Sequence, residues 1–181
     1  MSKLSSRRHR KPQREHASLR WRRRWIAVGI VIAVGLAIAI GSYGFYTYQR
    51  SRIPVIQITP ESQNLGRISP RMGIISTLFT VENAGNGDLI IEDMETSCGC
   101  TTVALIVDEV EGPSFGMKGH GPSPDDWSAR LAPGEQAQLK VYYDPNFHPG
   151  LSGWVTRGIV LRSNDPDTPM KIVTFEVLQV G

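Results

Sequence analysis

Cys98 and Cys100 stand one glycine apart in Thr96-Ser97-Cys98-Gly99-Cys100-Thr101-Thr102, and the 181-residue chain has no other cysteine. Three chemistries suit such a pair. Two thiolates are soft ligands, and with a thioether or an imidazole they suit Cu(I) or a copper electron-transfer centre. The pair can also close a disulfide across the single glycine or exchange with a partner's thiol, and so tight a bridge belongs to the labile, redox-active kind. Buried cysteines at a strand end also serve simply as small apolar residues. The count of two does not separate these readings.

Further ligands are available. Met117 and His120 lie close together in a segment rich in glycine and proline, and His148 follows Tyr143-Asp144-Pro145. Each reaches the cysteines if these loops gather at one end of the fold. The candidate metal set is therefore Cys98, Cys100, Met117, His120 and His148, with copper as the expected metal. Zinc on Cys98, Cys100, His120 and His148 is a further option, but the spacing is not the C-x-x-C of structural zinc sites. Asp165 and Asp167 could attract Ca²⁺, but Pro166 and Pro169 favour an ordinary Asx-type turn. There is no G-x-S-x-G, no H-E-x-x-H and no phosphate-cradling glycine motif. The chain therefore reads as a non-enzyme, and thiol–disulfide exchange is the one turnover its residues offer.

The compartment follows from an upstream apolar segment. Trp25 to Gln49 holds no charged residue, and Ile26 to Ile40 is almost wholly aliphatic. At about 1.5 Å per residue, roughly 20 residues cross the hydrocarbon core of a bilayer. Trp21 and Trp25 at one end, and Tyr46 and Tyr48 at the other, resemble interfacial aromatic belts, with Arg22, Arg23 and Arg24 at the lipid headgroups. Ten of the 20 basic residues precede the span, against the single acid Glu15. The positive-inside rule then keeps the N-terminus in the cytoplasm and puts the C-terminal domain outside the cell membrane. Ala37-Ile38-Ala39 resembles a signal-peptide cleavage pattern, but the long basic leader and long apolar run favour an uncleaved anchor. Gly29, Ala33, Ala37 and Gly41 recur every fourth residue and form a helix face that suits close packing against a second membrane helix.

The overall charge of +3 conceals an asymmetry, because the residues after the span carry sixteen acids against ten bases. The basic leader belongs to topology and anionic lipid, and nucleic acid is not an expected partner. The expected organisation is a disordered basic leader (1–24), a transmembrane helix (25–48), a linker with a first strand (49–57) and one domain (58–181).

That domain reads as short strands parted by turns. Ile75 to Val81 is a β-branched run that ends in Asn83-Ala84-Gly85-Asn86-Gly87-Asp88. Leu89-Ile90-Ile91 restarts a strand that runs into the cysteines. Leu139, Val141 and Tyr143 alternate with Gln138, Lys140 and Tyr142, Ile159 and Leu161 precede Arg162, and Val173, Phe175 and Val177 alternate with Thr174 and Glu176. With no helical period between them, these strands predict an all-β, antiparallel β-sandwich. The segment 108–128 interrupts the pattern as an inserted loop, which Phe115 and Trp127 are placed to pin as a lid or arm.

A set of motifs in order carries a resemblance: Val81-Glu82-Asn83 with Gly85 and Gly87, Ser97-Cys98-Gly99-Cys100-Thr101, Leu131-Ala132-Pro133-Gly134-Glu135, Tyr143-Asp144-Pro145 with His148, and Ser163-Asn164-Asp165-Pro166. Residues 58–180 resemble a bacterial family of unknown function with a Cys-Gly-Cys-Thr signature, akin to major sperm protein and Hydin-type domains. The resemblance implies an Ig-like sandwich and no established activity. The inserted loop resembles versions associated with phototrophic bacteria. Two functions are expected from these readings: a metal-handling module for a membrane redox complex, or a non-catalytic accessory subunit of a respiratory or photosynthetic complex. Other membrane-protein subunits and membrane lipid are the expected partners.

Overall fold

The structure, a computed structural model, describes residues 13–50 and 52–180. Two compact units divide at residue 50. The first is a single helix, α1 (Gln13–Arg50), whose Trp21–Tyr48 portion is long and apolar enough to cross a membrane. It starts twelve residues ahead of Trp25, so the helix runs on into the basic leader. Arg and Leu are good helix formers, and propagation adds one hydrogen bond per residue once the apolar turns are nucleated. The more N-terminal basic residues, from Lys3 to Lys11, lie outside the described residues. Trp21 and Trp25 meet edge to face, with centroids 5.8 Å apart. Gly29, Ala33, Ala37 and Gly41 are exposed, and a Cβ added at either glycine would meet nothing within 4 Å.

The second unit is a two-sheet sandwich. One sheet joins β1 (Ile56–Thr59), β3 (Ile75–Asn83), β8 (Gln136–Tyr143), β5 (Thr101–Val107) and β6 (Val110–Glu111), in that order. The other joins β2 (Ser62–Ile68), β10 (Met170–Gln179), β9 (Gly153–Ser163), β4 (Leu89–Thr96) and β7 (Ala129–Leu131). The alternation of Leu139, Val141 and Tyr143 turns all three inward, where they meet Phe79, Leu105 and Phe175. Each such side chain contributes about 2 kcal/mol on leaving water. All pairings are antiparallel but one, since β2 runs parallel to β10 with a register shift between Glu176 and Leu178.

The two poles of the sandwich differ. At one, Ile75 pairs Tyr143 and Thr101 pairs the same Tyr143, which gathers the starts of β3 and β5 with the end of β8. At the other, Ile56 pairs Asn83, and the chain arrives along Arg52–Val55. There Asn86 and Gly87 donate backbone N–H groups to the Ile53 carbonyl at 3.0 and 3.1 Å. A Cβ on Gly85 or Gly87 would fall within 2.6 Å of this incoming backbone, which is why both are glycine. β3 spans the distance between the poles, about 26 Å at 3.3 Å per residue.

Two buried polar residues clamp the arriving chain. Asn83 donates Nδ2 to Gly87 O (2.8 Å) and Leu131 O (2.9 Å), and its Oδ1 accepts from Gly85 N (3.0 Å). Asp165 accepts from Ile56 N (2.9 Å) through one oxygen and from Asp167 N (2.9 Å) and Thr168 N (3.0 Å) through the other. Its carboxylate therefore completes a turn and a strand start, as the Asx reading anticipates.

The segment 108–128 is built into the sandwich. β6 extends the edge of β5, Phe115 bridges Val103, and Phe115 meets Trp127 edge to face at 4.9 Å. β7 pairs β4 only through residues 89–91, and the Gly116 carbonyl accepts the Thr96 N–H beyond it (3.2 Å). The segment thus covers a stretch of strand edge that would otherwise leave backbone groups unpaired.

Asn83→Ala is expected to cost about 3 kcal/mol, because it strands several buried backbone groups; urea unfolding of the full chain in detergent measures this. Burial works against the charged form of Asp165, but the amides of Ile56, Thr168 and Asp167 outweigh it and hold its pKa below the usual carboxylate value. A depressed folded-state pKa gives stability that is complete above the unfolded value, about 4, and is lost as pH falls through the folded value. Asp165→Asn should flatten that acid limb of the stability curve.

Candidate functional site

β4 lies in one sheet and β5 in the other, so Ser97–Cys100 must carry the chain across the end of the sandwich. Local hydrogen bonds make this crossing rigid. The Thr96 hydroxyl lies 3.0 Å from the Cys98 carbonyl and 2.9 Å from the Thr101 carbonyl, and it donates between them. The Thr101 N–H closes a turn on the Cys98 carbonyl (3.1 Å), and the Asp144 N–H reaches the Cys100 carbonyl (2.8 Å). On the other side Ser97 N–H donates to Gly158 O, and Gly158 N–H donates to the Ser97 hydroxyl, both at 3.0 Å.

The turn presents the two sulfurs side by side, 2.6 Å apart, as free thiols. Cys98 is half-buried and Cys100 is 3% exposed. Gly99 lies beneath Phe147: a Cβ there would come within 2.9 Å of the ring tip. The segment after β8 brings His148 to the pair, with Nε2 3.3 Å from Cys98 Sγ. This segment is pinned at several points. Asn146 Nδ2 donates to Pro70 O (3.0 Å), Gln179 Nε2 donates to Pro145 O (2.8 Å), and Leu151 N–H donates to His148 O (3.1 Å). From β9, Arg157 Nε donates to Cys100 Sγ at 3.1 Å.

These contacts separate the two thiols in acidity. Burial raises the pKa of Cys98, but the thiol and amide of Cys100, the ring of His148 and the charge of Arg157 together bring it down to about 7. Burial holds the Cys100 thiol above its ordinary value, and its hydrogen bond with Cys98 adds to that, against the pull of Arg157. The pair therefore shares its first negative charge mainly on Cys98, the sulfur that faces the imidazole.

Of the ligands expected from sequence, the structure brings Cys98, Cys100 and His148 together, with their ligand atoms all within 4.8 Å of one another. Among the described residues, His120 is not in that group. It is exposed, in a turn closed by its own N–H on the Met117 carbonyl (3.0 Å). Met117 is half-buried in the same turn. Between them Lys118 ties the turn to β4, 3.0 Å from Asp93 and 3.6 Å from Glu95, carboxylates that Arg162 also pairs. The turn thus lies beside the outer face of β4.

Arg157 is the site residue that sequence reasoning did not single out. It sits between Thr156 and Gly158 in β9 and reads as an ordinary outward strand arginine. The β4–β9 pairing of Thr96 with Ile159, continued by Ser97 N–H donating to Gly158 O and Gly158 N–H donating to the Ser97 hydroxyl, brings its neighbour to the cysteine turn.

A model of the family DUF1573, a protein family of unknown function, matches residues 56–111, which hold the cysteine turn but not His148 or Arg157. No curated protein matches the sequence. The fold is similar to that of a protein of unknown function from Porphyromonas gingivalis W83, with a TM-score of 0.53 at 15% identity over 71% of this chain and 48% of that one. The chain thus spans about half the length of that protein. A PapD-like domain of human CEP192 gives a TM-score of 0.42 at 11% identity, covering 69% of this chain and 84% of that one. The E. coli chaperone DraB gives 0.43 at 11% identity, covering 71% and 57%. Residues 56–111, which match the model of the family of unknown function DUF1573, thus lie in a two-sheet β-sandwich, and the same chain holds a helix long and apolar enough to cross a membrane.

Proposed function

We propose that the sandwich is a membrane-anchored, extracytoplasmic binding module that holds Cu(I) on Cys98, Cys100 and His148. The observation that carries this reading is the convergence of two sulfurs and one imidazole nitrogen within 4.8 Å, with Arg157 beside them. Two thiolates, one neutral imidazole and a monovalent copper ion sum to one negative charge, and Arg157 cancels it. A divalent zinc ion on the same three ligands would be neutral before Arg157 is counted, and it would lack a fourth ligand for its preferred tetrahedron. Soft sulfur donors in a three-ligand set thus favour Cu(I).

The handling role rests on placement. Met72, Ile74, Phe147 and Trp154 are exposed, and Phe147 lies directly over the cysteine turn, so a partner protein can dock by apolar contact close to the metal ligands. The open face of α1 at Gly29 and Gly41 supports a second, compatible reading, in which the chain resides in a larger membrane assembly and serves its redox centre. The ten-base leader supports a cytoplasmic N-terminus.

Purified full-length protein under reducing conditions should take one Cu(I) per chain in competition with a chromogenic chelator. Cys98→Ser or Cys100→Ser should abolish binding, and His148→Ala should weaken it by at least about tenfold, by analogy with the loss of a site-supporting group. A wild type that leaves all of the Cu(I) on the chelator at every copper level would end the reading. Both thiols must shed protons to bind, one of them with a pKa of about 7. Affinity should therefore rise between pH 6 and pH 8. Replacing Arg157 by Gln removes a cation that favours the Cys98 thiolate, so the pH midpoint for alkylation of Cys98 should move upward from about 7. Mass spectrometry of samples alkylated across a pH series measures that midpoint.

A further inference from the structure

The two sulfurs occupy unlike positions, and metal binding alone does not require this. Cys98 is partly open to solvent and faces His148 Nε2 at 3.3 Å. Cys100 is buried behind it, held by Arg157 Nε at 3.1 Å and next to the Thr101 hydroxyl at 3.7 Å. One sulfur is thus open to an incoming group, and the other waits within 2.6 Å of the first. That is the arrangement of an attacking and a resolving thiol.

We infer that the pair also performs thiol–disulfide exchange with an accessible disulfide of a partner protein, Cys98 attacking and Cys100 resolving. In the first step the Cys98 thiolate attacks one sulfur of the partner's disulfide. A mixed disulfide forms, the partner's S–S bond breaks, and one partner thiolate leaves and takes up a proton. In the second step Cys100 gives up its proton and attacks Cys98 Sγ. The Cys98–Cys100 bond forms, the mixed disulfide breaks, and the second partner thiolate leaves and is protonated. Two electrons pass from the dithiol to the partner's disulfide, and no other oxidant or reductant is required. Gly99 fits this role, because a residue with no side chain lets Phe147 lie over the turn that holds the two sulfurs together.

Exchange and metal binding share sulfurs but fail separately. Metal-free, full-length protein in detergent with copper and zinc chelators present is treated with glutathione disulfide and followed by intact-mass spectrometry. The wild type should lose two hydrogen masses, release two equivalents of glutathione and accumulate no adduct. Cys100→Ser should trap one glutathionyl group on residue 98, and Cys98→Ser should react at least about tenfold more slowly. A limiting amount of iodoacetamide on the wild type should label Cys98 before Cys100, a measurement that does not depend on any variant folding. A stable adduct on the wild type, equal trapping by both serine variants, or labelling of Cys100 first would overturn the inference. Exchange without Cu(I) affinity would sustain it while removing the metal reading, and Cu(I) affinity without exchange would do the reverse.

Discussion

The site depends on a crossing. Residues 97–100 must leave one sheet and join the other within a few residues, and the Thr96 hydroxyl, lying between the carbonyls of Cys98 and Thr101, keeps that passage tight. Thr96 is itself buried, so its hydroxyl has no water to turn to, and the turn is its partner. With the turn fixed, the sulfurs adjoin whether or not anything is bound. A looser connection would hold them apart on average, and any ligand would have to bear the cost of ordering them.

Electrostatics then divides labour between two thiols that look equivalent in sequence. Cys100 lies in the edge of the core, where charge is expensive, yet the Arg157 guanidinium donates to it. Cys98 lies nearer water and draws on an amide, a thiol and an imidazole. The result is one sulfur prepared to carry charge and one prepared to accept it only when a cation or a covalent partner arrives. His148 faces the sulfur that is nearer water, with Nε2 3.3 Å from Cys98 Sγ.

How much of this was legible in the chain varies with the range of the interaction. β3, β8 and β10 were readable because period-two alternation sets Phe79, Leu139, Val141, Phe175 and Val177 inward, and burial against a core enforces that pattern. β2 was not readable. It is a polar edge strand with Gly66 at positive φ, and its pairing with β10, parallel across more than a hundred residues, has no local signature. The cysteine pair was visible from spacing, and His148 from its place after a turn motif. Arg157 was invisible, because nothing in Thr156-Arg157-Gly158 distinguishes it from a solvated strand residue. Met117 and His120 stood out because they lie close together in the inserted loop; the ion pairs of Lys118 with Asp93 and Glu95, more than twenty residues upstream, set their turn beside β4.

The two ends of the sandwich carry different duties. Arg52–Val55 are strapped to the Asn83–Gly87 turn at one end, while the sulfurs occupy the other, a full strand length of about 26 Å away. Between them lies only closely packed β-structure. The sandwich therefore acts as a stiff spacer within itself: the pole that bears the sulfurs keeps a fixed distance from the pole that receives the chain, whatever happens at either one.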